Sequence, residues 1–192
     1  ELKQLNIGAV PGKPVIAPED INNLTEEDKK KALAAVNLIK EKCCGKIKGR
    51  SCANGSKQRK YLKEDEIVAS PTVSTEALML SCLIDATENR DIATVDIPGA
   101  FMQSDMEGPE THMKVEGKMV HILTRIDPKL YTKYTVEEKG KPVIYVMLRK
   151  ALYGTIQAAL LFWKNLTKTL KSWGFTINPY DWCVANKTVK GN

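Results

Sequence analysis

After Thr25 the apolar residues recur at helical spacing: Ala32, Ala35, Val36 and Ile39 form one stripe, which Leu33 widens. Thr25 suits an N-cap, Glu26, Glu27 and Asp28 fall in the first turn, and Lys40 and Lys42 lie near the end, so the pattern predicts a helix through this stretch. Residues 1–24, rich in Pro, Gly and Asn with isolated aliphatics, predict an irregular arm. Asn54-Gly55 separates two β-prone runs, 47–53 and 57–62, and predicts a two-residue hairpin. Pro71 pushes the residue before it out of helical geometry. Ser74 then opens a helix to about residue 88, in which Ala77, Leu78, Leu80, Ser81, Ile84 and Asp85 predict a mostly buried element.

Residues 91–97 predict a strand that breaks at once on Pro98-Gly99. Glu116-Gly117 sits between 113–115 and 119–123 as a second hairpin. Further on, 128–134 predicts a short helix, 143–148 a strand and 155–172 a long helix. Residues 182–187 predict the first arm of another hairpin, with Gly191-Asn192 at its turn. Helices and hairpins in this order predict an α+β fold. No internal repeat or low-complexity tract interrupts it.

With 192 residues the chain is long enough for one domain or two small lobes. Its 43% hydrophobic and 27% charged content suits a globular chain. It has no apolar run of about 18 residues, so no membrane span is expected. It starts at Glu1 without a signal-peptide pattern, which suits a piece of a longer polyprotein. The net charge of +6 is compatible with a polyanionic partner but does not require one. Its distribution is more telling. Lys46, Lys48, Arg50, Lys57, Arg59, Lys60 and Lys63 precede the first acid of that region, Glu64, and such a segment can neutralise phosphates or stand as a solvated basic hairpin. The five cysteines form no C-x-x-C, and with only His112 and His121 available no zinc spacing is present. An odd cysteine count suits a reducing compartment.

The candidate chemistry centres on Asp96. A carboxylate at the end of a buried strand is costly unless paired or bound to a cation, which makes Asp96 a candidate metal ligand. Asp91, five residues earlier, would face the other side of that strand, while Asp105 and Glu107 sit in a polar loop and read as solvated. Phe101 is either a core ring behind the strand or a ring beside a ligand. Tyr153 and Gln157, four apart at a helix start, would share a face, and Gly154 between them permits close backbone approach. Arg50 offers a guanidinium fork suited to phosphate oxygens, with Lys48 on the same strand face. Lys164, Lys168 and Lys171 make a basic stripe at helical spacing, open to nucleic acid or to water. Trp163 and Trp173 read as core. Neither histidine has a nucleophile pattern around it, so hydrolase chemistry has no support.

Several of these segments together resemble the reverse transcriptase domain of copia-type LTR retrotransposons. Asp96-Ile97-Pro98-Gly99-Ala100-Phe101 is similar to the family's D-x-x-x-A-F segment, and Ala151-Leu152-Tyr153-Gly154-Thr155-Ile156-Gln157-Ala158 to its A-L-Y-G-x-x-Q-A. Lys46-Ile47-Lys48-Gly49-Arg50 resembles the basic fingers strand, and Ser70-Pro71-Thr72-Val73 the turn before the fingers-to-palm helix. Trp173-Gly174-Phe175 with Pro179-Tyr180-Asp181-Trp182-Cys183 resembles G-F-x-x-S-P-Y-D-x-C. The resemblance runs from about Lys46 to Lys187 in the family's order. It departs at Ile156, where members often carry Lys, and at Ala159-Leu160, where they carry Pro-Arg.

The resemblance implies polymerase fingers and a truncated, ferredoxin-like antiparallel palm. After the arm at 1–24, fingers would span 25–90 and 112–150, and palm 91–111 and an incomplete 151–192. It implies templated addition of deoxynucleotides to a primer 3′ end through two divalent ions about 3.5–4 Å apart, magnesium or manganese. Asp96 and the carbonyl of Ile97 would hold metal, and Phe101 would stand beneath the sugar and reject a 2′-hydroxyl. Lys48 and Arg50 would meet phosphates, while Tyr153, Gly154 and Gln157 would shape the nucleotide pocket. The implied partners are an RNA/DNA or DNA/DNA primer–template duplex, dNTPs and the rest of a retrotransposon polyprotein, in a cytoplasmic particle or the nucleus. The family's later pair of aspartates would lie beyond Asn192, which leaves the fragment short of metal ligands. A decayed nucleic-acid-binding remnant without catalysis, or a basic α+β interaction module, is the competing reading.

Overall fold

The computed structural model describes residues 2–9, 12–61 and 68–189. Lys63 and Glu64, the end of the arm predicted at 57–62, and the turn at Gly191-Asn192 lie outside the described residues. In chain order the elements are α1 (Leu2–Ile7), β1 (Ile16–Pro18), α2 (Glu26–Lys31), β2 (Leu33–Glu41), β3 (Ile47–Ala53), α3 (Thr75–Thr87) and β4 (His112–Glu116). There follow α4 (Lys118–Ile126), α5 (Pro128–Tyr131), β5 (Val136–Glu138), β6 (Lys141–Leu148), α6 (Ala158–Ser172), β7 (Thr176–Ile177) and β8 (Ala185–Asn186). The fold is α+β. Its main sheet has six strands in the order β1-β6-β4-β2-β3, with β5 also on β6. The β2–β4 pair is parallel and the other pairs antiparallel, so the sheet is mixed.

β6 is buried along most of its length because β1 and β5 flank one edge and β4 the other. Ile144, Val146 and Leu148 alternate into the main core with Leu33, Met113 and Val115 from the neighbouring strands. Val143 and Tyr145 serve a smaller cluster with Leu24 and Ala32 on the opposite face. Period-two alternation on a central strand requires this two-sided burial.

The predicted arm is in fact structural: Leu5, Val15 and Ile16 are buried in the core, and β1 pairs with β6 from Ile16↔Leu148 to Pro18↔Val146. The predicted helix after Thr25 is cut short. Thr25 and Asp28 form a reciprocal capping box on α2, but the chain then becomes β2, which pairs with β3 over Ala35↔Ala53 to Glu41↔Ile47. The apolar run at 33–39 satisfies a helical stripe and a strand equally well, and the cross-strand partner decided. Gly45, at φ +74°, closes the β2–β3 turn.

Asn54-Gly55 therefore is not the hairpin turn. The Asn54 side chain caps a 3-10 helix, Gly55–Lys60, by accepting the Ser56 N–H. The strand predicted at 119–123 is helix α4, which buries Val120 and Leu123, three apart, after Gly117 turns the chain at φ +61°. Residues 91–97 form no strand ladder and are almost wholly exposed. α3 forms where Ser74 predicts it, the Ser74 hydroxyl accepting the Ala77 N–H, but it buries none of its residues. The strand predicted at 182–187 shrinks to β8, which pairs back onto β7 as the second arm of a small hairpin.

Candidate functional site

The functional residues come from three segments that the backbone ties together. β3 carries Lys48 and Arg50 on one face, opposite Lys40 and Leu38 of β2 respectively. At the end of β3 the Ala53 N–H donates to the Tyr153 carbonyl (2.8 Å), and the Gly55 N–H donates to the Gly154 carbonyl (3.1 Å). The Gln58 side-chain oxygen accepts the Ile156 N–H at 3.0 Å. Gly154 sits at φ +89° with its Cα pressed against Ala53, so that a Cβ there would overlap the Ala53 carbonyl oxygen. The close approach expected of Gly154 is present, and its target is the end of β3.

A second strap joins the Phe101 turn to the Tyr153 segment. Ala151 N–H donates to the Ser104 carbonyl (2.9 Å) and Met106 N–H to the Arg149 carbonyl (3.0 Å). Lys150, its side chain 7% exposed, reaches Asp105 at 2.6 Å. Asp105 is solvated as expected, its side chain 80% exposed, and is also the partner of the buried Lys150 ammonium. Glu107, exposed as expected, takes Lys164 at 2.9 Å.

These straps bring Arg50, Phe101 and Tyr153 together. The Arg50 guanidinium lies 5.8 Å from the Tyr153 ring centroid. The rings of Tyr153 and Phe101 are 4.7 Å apart, tilted by 50°, and Phe162 meets Phe101 edge-on at 6.1 Å. Phe101 is therefore half-buried in a ring cluster, neither a deep core residue nor a bare surface one. Arg50 is exposed, with its fork open to solvent. A cation over an aromatic face contributes roughly 0.5–1 kcal/mol at such a site.

Gln157 parts from Tyr153. Tyr153 and Gly154 lie in a turn before α6, and Gln157 is only its N-cap, so the helical i, i+4 relation does not hold. Gln157 instead lines a cleft of about 220 Å³ with Lys31, Gln58, Tyr61 and His112. Lys48 stays exposed on β3. Asp96 is exposed in extended coil five residues before Phe101, Ile97 is half-buried beside it, and no hydrogen bond or ion pair ties the Asp96 carboxylate to another described residue. Asp96 does not end a buried strand, so the desolvation argument for it as a metal ligand falls; its openness still fits one ligand of a hard cation that keeps its waters. Among the described residues no three His, Cys, Asp or Glu side chains gather as a metal site.

Away from this region, Lys114 bridges Glu116 (2.7 Å) and Glu138 (2.8 Å). Burial pulls the Lys114 ammonium down, but the two carboxylates outweigh it and hold it above its ordinary value. Burial first, then a hydrogen bond to Glu138, pushes the Tyr145 phenol up to about 12. Burial, with Asp127 nearby, does the same for Tyr131, also to about 12. These groups lock β4, β5, β6 and α5.

Sequence reasoning missed the Lys150–Asp105 pair and the docking of Gly55 on Gly154, whose signals were a lone lysine and a glycine already explained as a turn. It also misplaced two tryptophans: Trp163 is only half-buried and stacks on Trp182, and Trp173 is 61% exposed. No helix among the described residues is long and apolar enough to cross a membrane. Comparison of the chain with protein-family models, with curated proteins and with solved structures gives no match.

Proposed function

We propose that the chain is the fingers and the first part of the palm of a copia-type reverse transcriptase, serving templated addition of deoxynucleotides to a primer 3′ end. The observation that carries this reading is the meeting of Arg50, Tyr153 and Phe101, which the family resemblance assigns to one nucleotide pocket and which come from three separate segments. Arg50 presents its fork to a triphosphate, and the Tyr153 ring holds the guanidinium in place. Lys48, on the same strand face, adds positive charge for phosphate oxygens. Phe101, packed edge-on against Phe162, would face the sugar and exclude a 2′-hydroxyl. Gln157 reaches the neighbouring cleft with Gln58, where amide groups suit a base edge or template.

Asp96 and the Ile97 carbonyl would hold magnesium or manganese, which supplies charge stabilisation at the reacting oxygens. A two-ion site needs carboxylates besides Asp96, and among the described residues no three His, Cys, Asp or Glu side chains gather as one. Its partners in this reading are a primer–template duplex, dNTPs and the remainder of a polyprotein.

Titration of dTTP onto the purified chain, with and without magnesium, tests the proposal. Arg50→Ala should weaken binding by about 10- to 150-fold, the loss of one charged hydrogen-bonding group. Asp96→Asn should remove the magnesium dependence. Equal binding by wild type and both variants would refute the assignment of this cluster to a nucleotide.

A further inference from the structure

α6 carries aromatic rings on two adjacent faces. On one, Phe162 turns to Phe101. On the next, Trp163 stacks on Trp182 at 6.2 Å and 27°, fixed by a hydrogen bond from the Trp163 indole N–H to the Trp182 carbonyl (3.3 Å). Trp182 remains 59% exposed and Tyr180 97% exposed, an uncommon amount of aromatic surface to leave in water. Between α6 and the loop before β8 runs an open groove of about 320 Å³, walled by both indoles, Ile177 and Pro179, with Lys171 at its edge. A second opening continues along the helix from Trp163 past Thr167 to Lys168 and Lys171.

The charges here are unbalanced. Lys164 is neutralised by Glu107, but no ion pair joins Lys168 or Lys171 to any described acid. Asp181, the acid of the loop, is occupied by the N–H groups of Ser74 (2.8 Å) and Cys183 (2.8 Å). The exposed surface of the Trp182 indole and the Tyr180 ring, beside unpaired ammonium groups, matches a ligand that alternates flat π-systems with anionic links. Single-stranded nucleic acid has that chemistry, because its bases are free to stack on aromatic rings while lysines track its phosphates. A duplex hides its base faces, and a peptide of acidic residues alone would use the lysines but leave the indoles uncovered.

We propose that this face of α6 and the 178–182 loop form a binding surface for single-stranded RNA or DNA. The surface lies outside the Arg50–Tyr153 cluster and does not depend on the polymerase reading.

All 3 tryptophans of the chain are Trp163, Trp173 and Trp182, so intrinsic fluorescence reports on α6 and this loop and not on the Arg50 cluster. Fluorescein-labelled dT12 and U12 are titrated onto the full chain, following indole quenching and label anisotropy together. Both should saturate at the same concentration. Trp182→Ala should weaken binding by about 5- to 150-fold, the loss of one base–aromatic stack. The Lys168→Gln/Lys171→Gln double variant should lower the slope of log affinity against log salt by about 1.4, two phosphate contacts at roughly 0.7 each. Circular-dichroism melts establish that each variant is folded, and the exposed double-lysine variant decides if Trp182→Ala is not. Binding without indole quenching, a wild-type salt slope in the double variant, or equal competition by polyglutamate would overturn the proposal, the last in favour of a protein partner.

Discussion

Replacing Gly154 by Ala should be far more damaging than the same change at Gly140, although both glycines have positive φ, +89° and +72°. At Gly140, in the β5–β6 turn, an added Cβ meets nothing within 4 Å. Only the backbone penalty remains, about 1–2 kcal/mol for an L-residue in the left-handed region. At Gly154 the same penalty applies, and the new Cβ would overlap the Ala53 carbonyl oxygen and lie 3.2 Å from its carbon. That atom is backbone in a paired strand and cannot swing aside. Relief requires the Tyr153-Gly154 turn to lift from β3, breaking the bonds from Ala53 to Tyr153 and from Gly55 to Gly154. Two net hydrogen bonds add about 1–3 kcal/mol, so Gly154→Ala should cost about 2–5 kcal/mol in all. Urea unfolding followed by far-UV circular dichroism measures both variants. The Tyr153 ring resonances, which sense Phe101 at 4.7 Å, should shift in Gly154→Ala and stay in place in Gly140→Ala. Equal destabilisation of the two variants would refute the claim that close approach, rather than dihedral freedom, is what requires glycine at 154.

Asp105→Ala should cost about 1–3 kcal/mol by leaving the buried Lys150 ammonium without its carboxylate, whereas Lys150→Met, which removes the charge and keeps the packed stem, should cost less. A larger loss in Lys150→Met, by the same urea assay, would contradict this. Stability should also fall at alkaline pH: Tyr131 and Tyr145 ionise near 10 when unfolded but about 12 when folded, so their contribution is full below about 10 and is lost as pH rises through about 12. Melting temperatures from pH 9 to 12 should decline less steeply in Tyr131→Phe, and an unchanged decline would show that the buried phenol is not the cause.

Local chemistry in the sequence determined where several elements begin. The Thr25 capping box, the Ser74 cap of α3, and Asp127 and Pro128 at the start of α5 need only neighbours a few residues away. The motif residues Arg50, Phe101, Tyr153 and Gly154 were legible as types suited to a phosphate and a sugar, but nothing local could place them beside one another. Their meeting depends on two long-range straps, one from β3 and one from Ser104, Asp105 and Met106.

Tertiary structure also chose between periods wherever an apolar run was short. Residues 33–39 became strand because β3 and β4 offered backbone partners, and Lys118–Ile126 became helix because Val120 and Leu123 could enter one core face. Residues 91–97, with strand composition and no partner among the described residues, remained open coil and left Asp96 in water. A strand is a pairwise structure, so its residues can favour it but cannot make it alone, whereas a capped helix closes its own hydrogen bonds. The glycines show the same division. The sequence marks Gly55 and Gly154 as permissive points, and only the packed chain reveals that each is required by a close backbone, Gly154 lying against Gly55 and Ala53 against Gly154.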